Sequence, residues 1–224
     1  MRIEGGEKKG FIIKVPKDIR PTSSFIKKSI FDTIGSFILD KEVLELFAGS
    51  GALGFEALSR GAKSCTFVDI SRSSQKAIEE NIKKLNYQDK ANFIKSDAIK
   101  FLKNYSISFD IILADPPYDY QNYDELLSYA HLRLKENGIF VLQLSSKTKL
   151  NLNLFSILKN YKKGETSVLY LVKWFFNFID NQRIIKVLLC LITSGGLLEG
   201  SSQAEIWLFL SQELIFSVGD ENKK

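Results

Sequence analysis

The stretch that decides the fold is EVLELFAGSGALGFEALSRGA, residues 42–62. An apolar, strand-like run (42–47) meets Gly49-Ser50-Gly51, and Ala52-Leu53-Gly54 opens a helix-compatible segment. Glycines at such a junction permit a sharp strand-to-helix turn and let the backbone approach a ligand closely. Outward from here the alternation repeats. Strand-like runs at 64–69 (SCTFVD), 91–96 (ANFIKS) and 109–114 (FDIILA) are separated by helical stretches at 53–60, 72–86 and 98–104. A fifth run, IFVLQL at 139–144, follows a helix near 122–134 and a turn at Gly138. Runs near 154–161 and 166–173 flank Lys162-Lys163-Gly164 and read as a hairpin. Strands that are apolar almost throughout, alternating with helices, predict a doubly wound, Rossmann-like α/β fold. Its sheet is mostly parallel, covered on both faces, and ends in the antiparallel edge hairpin.

Upstream, RIEGG and FIIKV flank the turn Glu7-Lys8-Lys9-Gly10 and predict an N-terminal β-hairpin. Pro21 and a Thr/Ser cluster then start a helix with Phe25, Ile26, Ile30, Phe31, Ile34 and Ile38 near helical spacing. The expected organisation is a hairpin-and-helix extension at 1–40, the α/β domain at 41–174 and an apolar extension at 175–224.

Composition narrows the chemistry. A chain of 224 residues, 45% hydrophobic and 25% charged, has the makeup of an ordinary globular protein. With one histidine (His131) and two cysteines (Cys65, Cys190), a Cys/His zinc site has too few ligands, so no metal is expected. The isolated cysteines fit reduced thiols in a cytoplasmic protein, and MRIEGGEKKG has no apolar signal core. Charge is uneven: residues 1–174 carry 27 Lys and Arg against 20 Asp and Glu, and residues 175–224 carry 4 against 6. The first part leans towards a polyanion.

Ligands of such sheets bind beyond the carboxyl ends of the strands, where four acids stand: Glu45, Asp69, Asp97 and Asp115. Any one alone is ordinarily a helix cap or a solvated loop acid. The glycine-rich loop by itself suits a dinucleotide as well as S-adenosylmethionine, and Asp69 can hold a ribose in either. Glu45, inside the strand that feeds the loop, tips the balance. A carboxylate there meets the ammonium of an amino-acid moiety and would repel a pyrophosphate.

The fourth strand runs into Asp115-Pro116-Pro117-Tyr118. The Asp115 carboxylate and the Pro116 carbonyl can both accept hydrogen bonds from an exocyclic NH2, and proline holds that carbonyl on a fixed backbone. Tyr118 can stack on a base, a contact worth about 1–3 kcal/mol. Gripping both hydrogens favours a tetrahedral nitrogen whose lone pair points at a methyl donor. Alignment of this kind supplies about 7–11 kcal/mol, without a histidine or a metal.

With these residues in view, the chain resembles the bacterial 16S rRNA guanine-N2 methyltransferases, class I S-adenosylmethionine-dependent enzymes that modify guanine 966. The likeness covers about residues 1–173 and rests on LELFAGSGALGFEALSRGA (44–62), Val68-Asp69, Asn81 and ADPPY (114–118). RIEGGEKKGFIIKVP and Arg20-Pro21-Thr22 are similar to the family's opening hairpin and its RPT element. The resemblance implies that Glu45, the loop from Phe47 to Gly54 (Phe47, Ala48, Gly49, Ser50, Gly51, Gly54) and Asp69 hold the amino-acid end and ribose of S-adenosylmethionine. Asp97 and Ala98 would face the adenine, and Asp115, Pro116, Pro117 and Tyr118 the target guanine. Lys8, Lys9, Lys14, Arg20, Thr22, Lys27 and Lys28 would line the path of 16S rRNA, free or in the 30S particle. The chain departs from the pattern at Lys27-Lys28, where a basic–acidic pair is common, and at Asp32, where Asn is usual. It departs again at Glu45, where Asp is commoner, and at Gln143, where an acid is frequent.

Residues 175–224 have no counterpart in that family. Their longest uncharged stretch, Val187 to Leu198, has twelve residues with two glycines, too short to span a bilayer. Two other readings stay open at this point: an adenine-N6 methyltransferase on DNA or RNA, and a catalytically silent RNA-binding assembly factor.

Overall fold

A computed structural model describes residues 1–16, 19 and 23–173. The expectations for Arg20, Thr22 and the extension at 175–224 fall outside the described residues.

Helix α1 (Ser24–Ile34) starts where Ser23 Oγ accepts the Ile26 N–H at 3.2 Å, and it ends at Gly35, whose φ is +56°. A 3-10 turn (Gly35–Ile38) leads into β1 (Glu42–Leu46). Then follow α2 (Ala52–Ser59), β2 (Ser64–Asp69), α3 (Arg72–Leu85), β3 (Ala91–Lys95), α4 (Ala98–Asn104) and β4 (Phe109–Ala114). The chain continues through α5 (Tyr123–Arg133), β5 (Leu134–Ser145), β6 (Phe155–Lys163) and β7 (Thr166–Lys173).

The seven strands of the described residues form one sheet in the order β3-β2-β1-β4-β5-β7-β6. β1 to β5 are parallel; β7 pairs antiparallel with β5 on one side and β6 on the other. The order reverses between β1 and β4, so the loops after these strands diverge and leave a crevice at their carboxyl ends. The predicted doubly wound sheet with a closing hairpin is the one observed.

Strand alternation divides the core by face. Val43, Phe67, Ile111, Leu113, Val141 and Tyr170 pack beneath α1, α2 and α3 together with Ile30, Phe31, Phe55 and Ile78. Leu44, Leu46, Ile112, Phe140 and Leu142 pack on the other face with Phe101, Leu102, Leu126 and Leu127 of α4 and α5. Among the described residues no helix is long and apolar enough to cross a membrane.

Two elements differ from expectation. β5 starts at Leu134 rather than 139, because the chain leaves the ladder between Phe109↔Leu134 and Ile111↔Ile139 and then rejoins it. Gly138 makes this possible, since a Cβ there would lie 2.8 Å from the Asp110 carbonyl oxygen. The N-terminal hairpin is reduced to a single antiparallel bridge, Arg2↔Ile12. Past it the backbone turns to α2 instead: Glu7 N–H donates to the Ser59 carbonyl at 2.7 Å and Lys8 N–H to Ser59 Oγ at 2.9 Å.

Candidate active site

The carboxyl ends of β1 to β4 open onto a cleft of about 480 Å³, a size that suits a nucleoside-like ligand. Its walls include Phe47, Gly49, Asp69, Asp97, Ala98 and the whole of Asp115-Pro116-Pro117-Tyr118. Nine of the expected site residues thus share one cavity, although they come from four separate strand ends.

The loop after β1 is built on backbone conformations that few side chains tolerate. Phe47, Gly49 and Gly51 have φ of +54°, +54° and +75°. A Cβ on Gly49 would sit 3.2 Å from Ile19 Cγ2, so only glycine fits between the cleft and Ile19 without displacement. Asp69 fixes the loop from the neighbouring strand. Its Oδ2 accepts the Gly49 N–H and its Oδ1 the Ser71 N–H, both at 2.8 Å. Each oxygen keeps lone-pair capacity towards the cleft. Asp97 caps α4 by accepting the Lys100 N–H at 3.0 Å. This cradle fits a cofactor with a hydroxyl-bearing ribose and a flat apolar ring: close backbone, a carboxylate held by two amides, and Ile70, 68% exposed on the cleft wall.

The loop after β4 is held by aromatic packing. Tyr120 N–H donates to the Pro117 carbonyl at 3.0 Å, closing the turn. The Tyr120 ring meets Phe47 and Tyr123 edge-on, each at 5.1 Å between centroids. Burial pushes the Tyr120 phenol up to about 12, with the charges of Asp97 and Glu125 and the Tyr123 hydroxyl adding. Tyr118 lies at the mouth of the cleft with 58% of its surface exposed.

Three groups of expected site residues lie away from the cleft wall. Glu45 does not stand on the cleft wall. It is 4% exposed, and its carboxylate lies under α2, where it accepts the Leu53 N–H at 3.2 Å and the Gly54 N–H at 2.8 Å. Burial raises its pKa to about 8, against the two amide N–H groups, with Asp115 and Asp69 adding to the rise. Its role is to anchor the loop and helix, because β1 points residue 45 to the same face as Val43.

Ala48, Ser50, Gly51 and Gly54 are likewise absent from the wall. Gly54 serves packing: a Cβ would fall 2.4 Å from the Phe67 ring and 2.6 Å from Cys65 Sγ.

Lys27 cannot face RNA, since it is fully buried and paired with Glu56 at 3.1 Å. Its ammonium also donates to the Arg2 carbonyl, while Arg60 Nε holds the other Glu56 oxygen at 2.8 Å.

The remaining lysines lie on the surface. Lys8 sits over the Phe11 and Tyr87 rings at 5.9 and 5.8 Å, and Lys9 is exposed in the turn. Lys14 pairs with Glu80 at 2.6 Å and Lys28 with Asp32 at 3.1 Å. Asn81 holds the backbone of Lys14 through both its N–H and its carbonyl, at 2.8 and 2.9 Å.

The cleft also includes residues not among the expected site residues: Ile19, Ser23, Ile26, Ile70, Ser71, Ser96, Gln143 and Thr166. Ile70, Ser71 and Ser96 adjoin strand-end acids and could have been found by that adjacency. Thr166 comes from the far hairpin and carries no local signal.

Comparison with known proteins follows the same lines. Residues 1–172 match the family model described as conserved hypothetical protein 95. The chain belongs to this family. It is 36% identical over 157 residues to YlbH of Bacillus subtilis, described as a candidate rRNA methyltransferase, covering 67% of this chain and 85% of that protein. It is 32% identical over 140 residues to ribosomal RNA small subunit methyltransferase D of Escherichia coli, covering 62% of this chain and 68% of that protein. Among solved structures, yhhF of Escherichia coli, described as a candidate methyltransferase, superposes with a TM-score of 0.70 at 27% identity, over 77% of this chain and 98% of that one. The fold is that of the class I methyltransferases.

Proposed function

We propose that this member of the family transfers a methyl group from S-adenosylmethionine to the exocyclic N2 of a guanine in 16S rRNA, namely guanine 966. The observation that carries the reading is the shared cleft. The amine-gripping Asp115-Pro116-Pro117-Tyr118 loop opens onto the same cavity as the Gly49 loop, Asp69 and Asp97. The rRNA substrate is supported by the names of the relatives and by the basic excess of residues 1–174.

When bound, S-adenosylmethionine supplies a methyl on a positively charged sulfur, which keeps the bonding pair and leaves as a neutral thioether. Asp69 would hold the ribose hydroxyls, and Ile70, Asp97 and Ala98 would line the place of the adenine. On the other side, Asp115 and the Pro116 carbonyl each accept one N–H of the target amine. Delocalisation into the base is thereby weakened, and the nitrogen lone pair is turned towards the methyl carbon. A lone pair so directed would be placed to take the methyl group, the N–C bond forming as the S–C bond breaks. The nitrogen's surplus proton passes through the Asp115 carboxylate to water. Tyr118 stacks on the base and holds it against the loop. Lys8, Lys9, Lys14 and Lys28 form the described part of the surface on which rRNA docks.

The test offers purified protein labelled S-adenosylmethionine together with 16S rRNA or 30S particles from cells lacking the modification. N2-methylguanosine at position 966 is the expected product. N6-methyladenosine would transfer the reading to adenine. Retained cofactor binding with no transfer to either substrate would make the protein a scaffold.

A further inference from the structure

Gln143 stands on β5, on the sheet face that carries Val141 and, across the ladder on β7, Val168. β4 and β5 pair through Ala114↔Leu142, so Asp115, the next residue, comes level with Gln143 about one strand spacing, ~5 Å, away. Both residues line the cleft. The Gln143 Oε1 atom is buried and has no hydrogen-bond partner among the described residues. Desolvating a polar group without a partner is costly, so such an atom calls for an explanation. A ligand that brings the missing donor is the simplest one.

We infer that Gln143 reads the Watson–Crick edge of the target base; this rests on the proposed guanine-N2 transfer. A guanine whose N2 amine is held by Asp115 and Pro116 turns the rest of its edge, N1–H and then O6, towards the next strand. A glutamine amide offers one acceptor and one donor side by side. Its Oε1 accepts the N1–H and its Nε2 donates to O6. An adenine held by its amine in the same way has no N1–H and no O6, and offers at most a single bond to N1. A carboxylate at position 143 could accept the N1–H but would repel O6. The glutamine therefore sets which base is accepted, while Asp115 and Pro116 set which amine is methylated.

The test compares 16S rRNA carrying guanine at the target with the same RNA carrying 2-aminopurine, which keeps the 2-amine but lacks both N1–H and O6. Wild-type protein is expected to show kcat/KM at least 100-fold higher on guanine. Gln143→Leu and Gln143→Ala should narrow that ratio to below tenfold by losing rate on guanine, with S-adenosylmethionine affinity in the absence of RNA unchanged. Gln143→Glu should fall between, keeping one of the two bonds. A variant that is folded, binds cofactor and keeps the full wild-type ratio overturns the inference and leaves the proposed function standing. Failure of the wild-type protein to form N2-methylguanosine on the guanine RNA removes both.

Discussion

Gly49 donates its backbone N–H to Asp69 Oδ2 at 2.8 Å, which ties the loop after β1 to the end of β2. The other Asp69 oxygen takes the Ser71 N–H, so a single side chain ties together the backbone on two sides of this part of the cleft. Asp69→Ala is expected to lower S-adenosylmethionine affinity at least tenfold and to cost about 1–3 kcal/mol of stability by orphaning two amides. Asp69→Asn keeps one acceptor and should fall between. Calorimetric titration with the cofactor, alongside denaturant melts, checks both effects.

Gly49 in the loop and Gly54 within α2 should respond differently. Gly49→Ala forces a left-handed alanine against Ile19, with an intrinsic strain of about 1–2 kcal/mol, and should weaken cofactor binding. Gly54→Ala drives a methyl into Phe67 and Cys65 beneath α2, so it should cost about 1–3 kcal/mol of stability as overpacking does. Its residual folded fraction should bind cofactor with nearly native affinity. Equal affinity losses for both would contradict this division.

Asp115→Ala removes one of the two acceptors proposed for the target amine. Methyl transfer should fall by about 10²- to 10³-fold or more, the scale of losing one preorganised polar group. Cofactor affinity should stay within a factor of two or three. Single-turnover kinetics and equilibrium binding, measured on one preparation, separate the two.

Lys27→Met should destabilise the protein by about 3 kcal/mol, at the low end for a broken buried pair because Arg60 still holds Glu56. The salt dependence of RNA affinity should not change. A drop in its slope of roughly 0.7–0.9 would mean that the lysine neutralises a phosphate after all.

Glu45 makes stability depend on pH. Its carboxyl titrates at about 8 in the folded protein against an ordinary 4.5, chiefly through burial, so folding takes up a proton between those values. Its contribution is complete below about pH 4.5 and is lost as pH rises towards 8, at up to about 1.4 kcal/mol per unit. Glu45→Gln should flatten the fall in melting temperature between pH 5 and 8. An unchanged slope would assign the effect to other groups.

The fold was legible because long apolar runs and glycine turns alternate along the chain, and apolar strands between helices pack in few ways. Asp69, Asp97 and Asp115 were legible because the parallel sheet brings all strand ends to one side. The buried role of Lys27 was not seen, although a signal existed. Lys27, Ile30, Phe31 and Ile34 fall at helical spacing on one buried stripe, so position outweighs charge there. Glu45 misled for a related reason. A carboxylate in a strand can serve a ligand or a helix start equally well, and only the packing of α2 over β1 decides between them. Thr166, Ser23 and Ile26 meet in the cleft from elements some 140 residues apart, a closure that no local pattern encodes.

The N-terminal hairpin's dependence on α2 and α3 also bears on the order of events during synthesis. Glu4, Lys8 and Lys14 bond through their backbone N–H groups to Glu56, Ser59 and Asn81, partners 51–67 residues further along the chain. At 5–20 residues per second, a ribosome needs roughly 3–13 s to make that intervening length. Until then these three N–H groups have only water for partners, although the hairpin's own bonds, such as Ile3 N–H to the Phe11 carbonyl, can already form. The earlier-made segment is therefore completed by the later-made one, and an ordered hairpin reports that the helices behind the Gly49 loop are already in place.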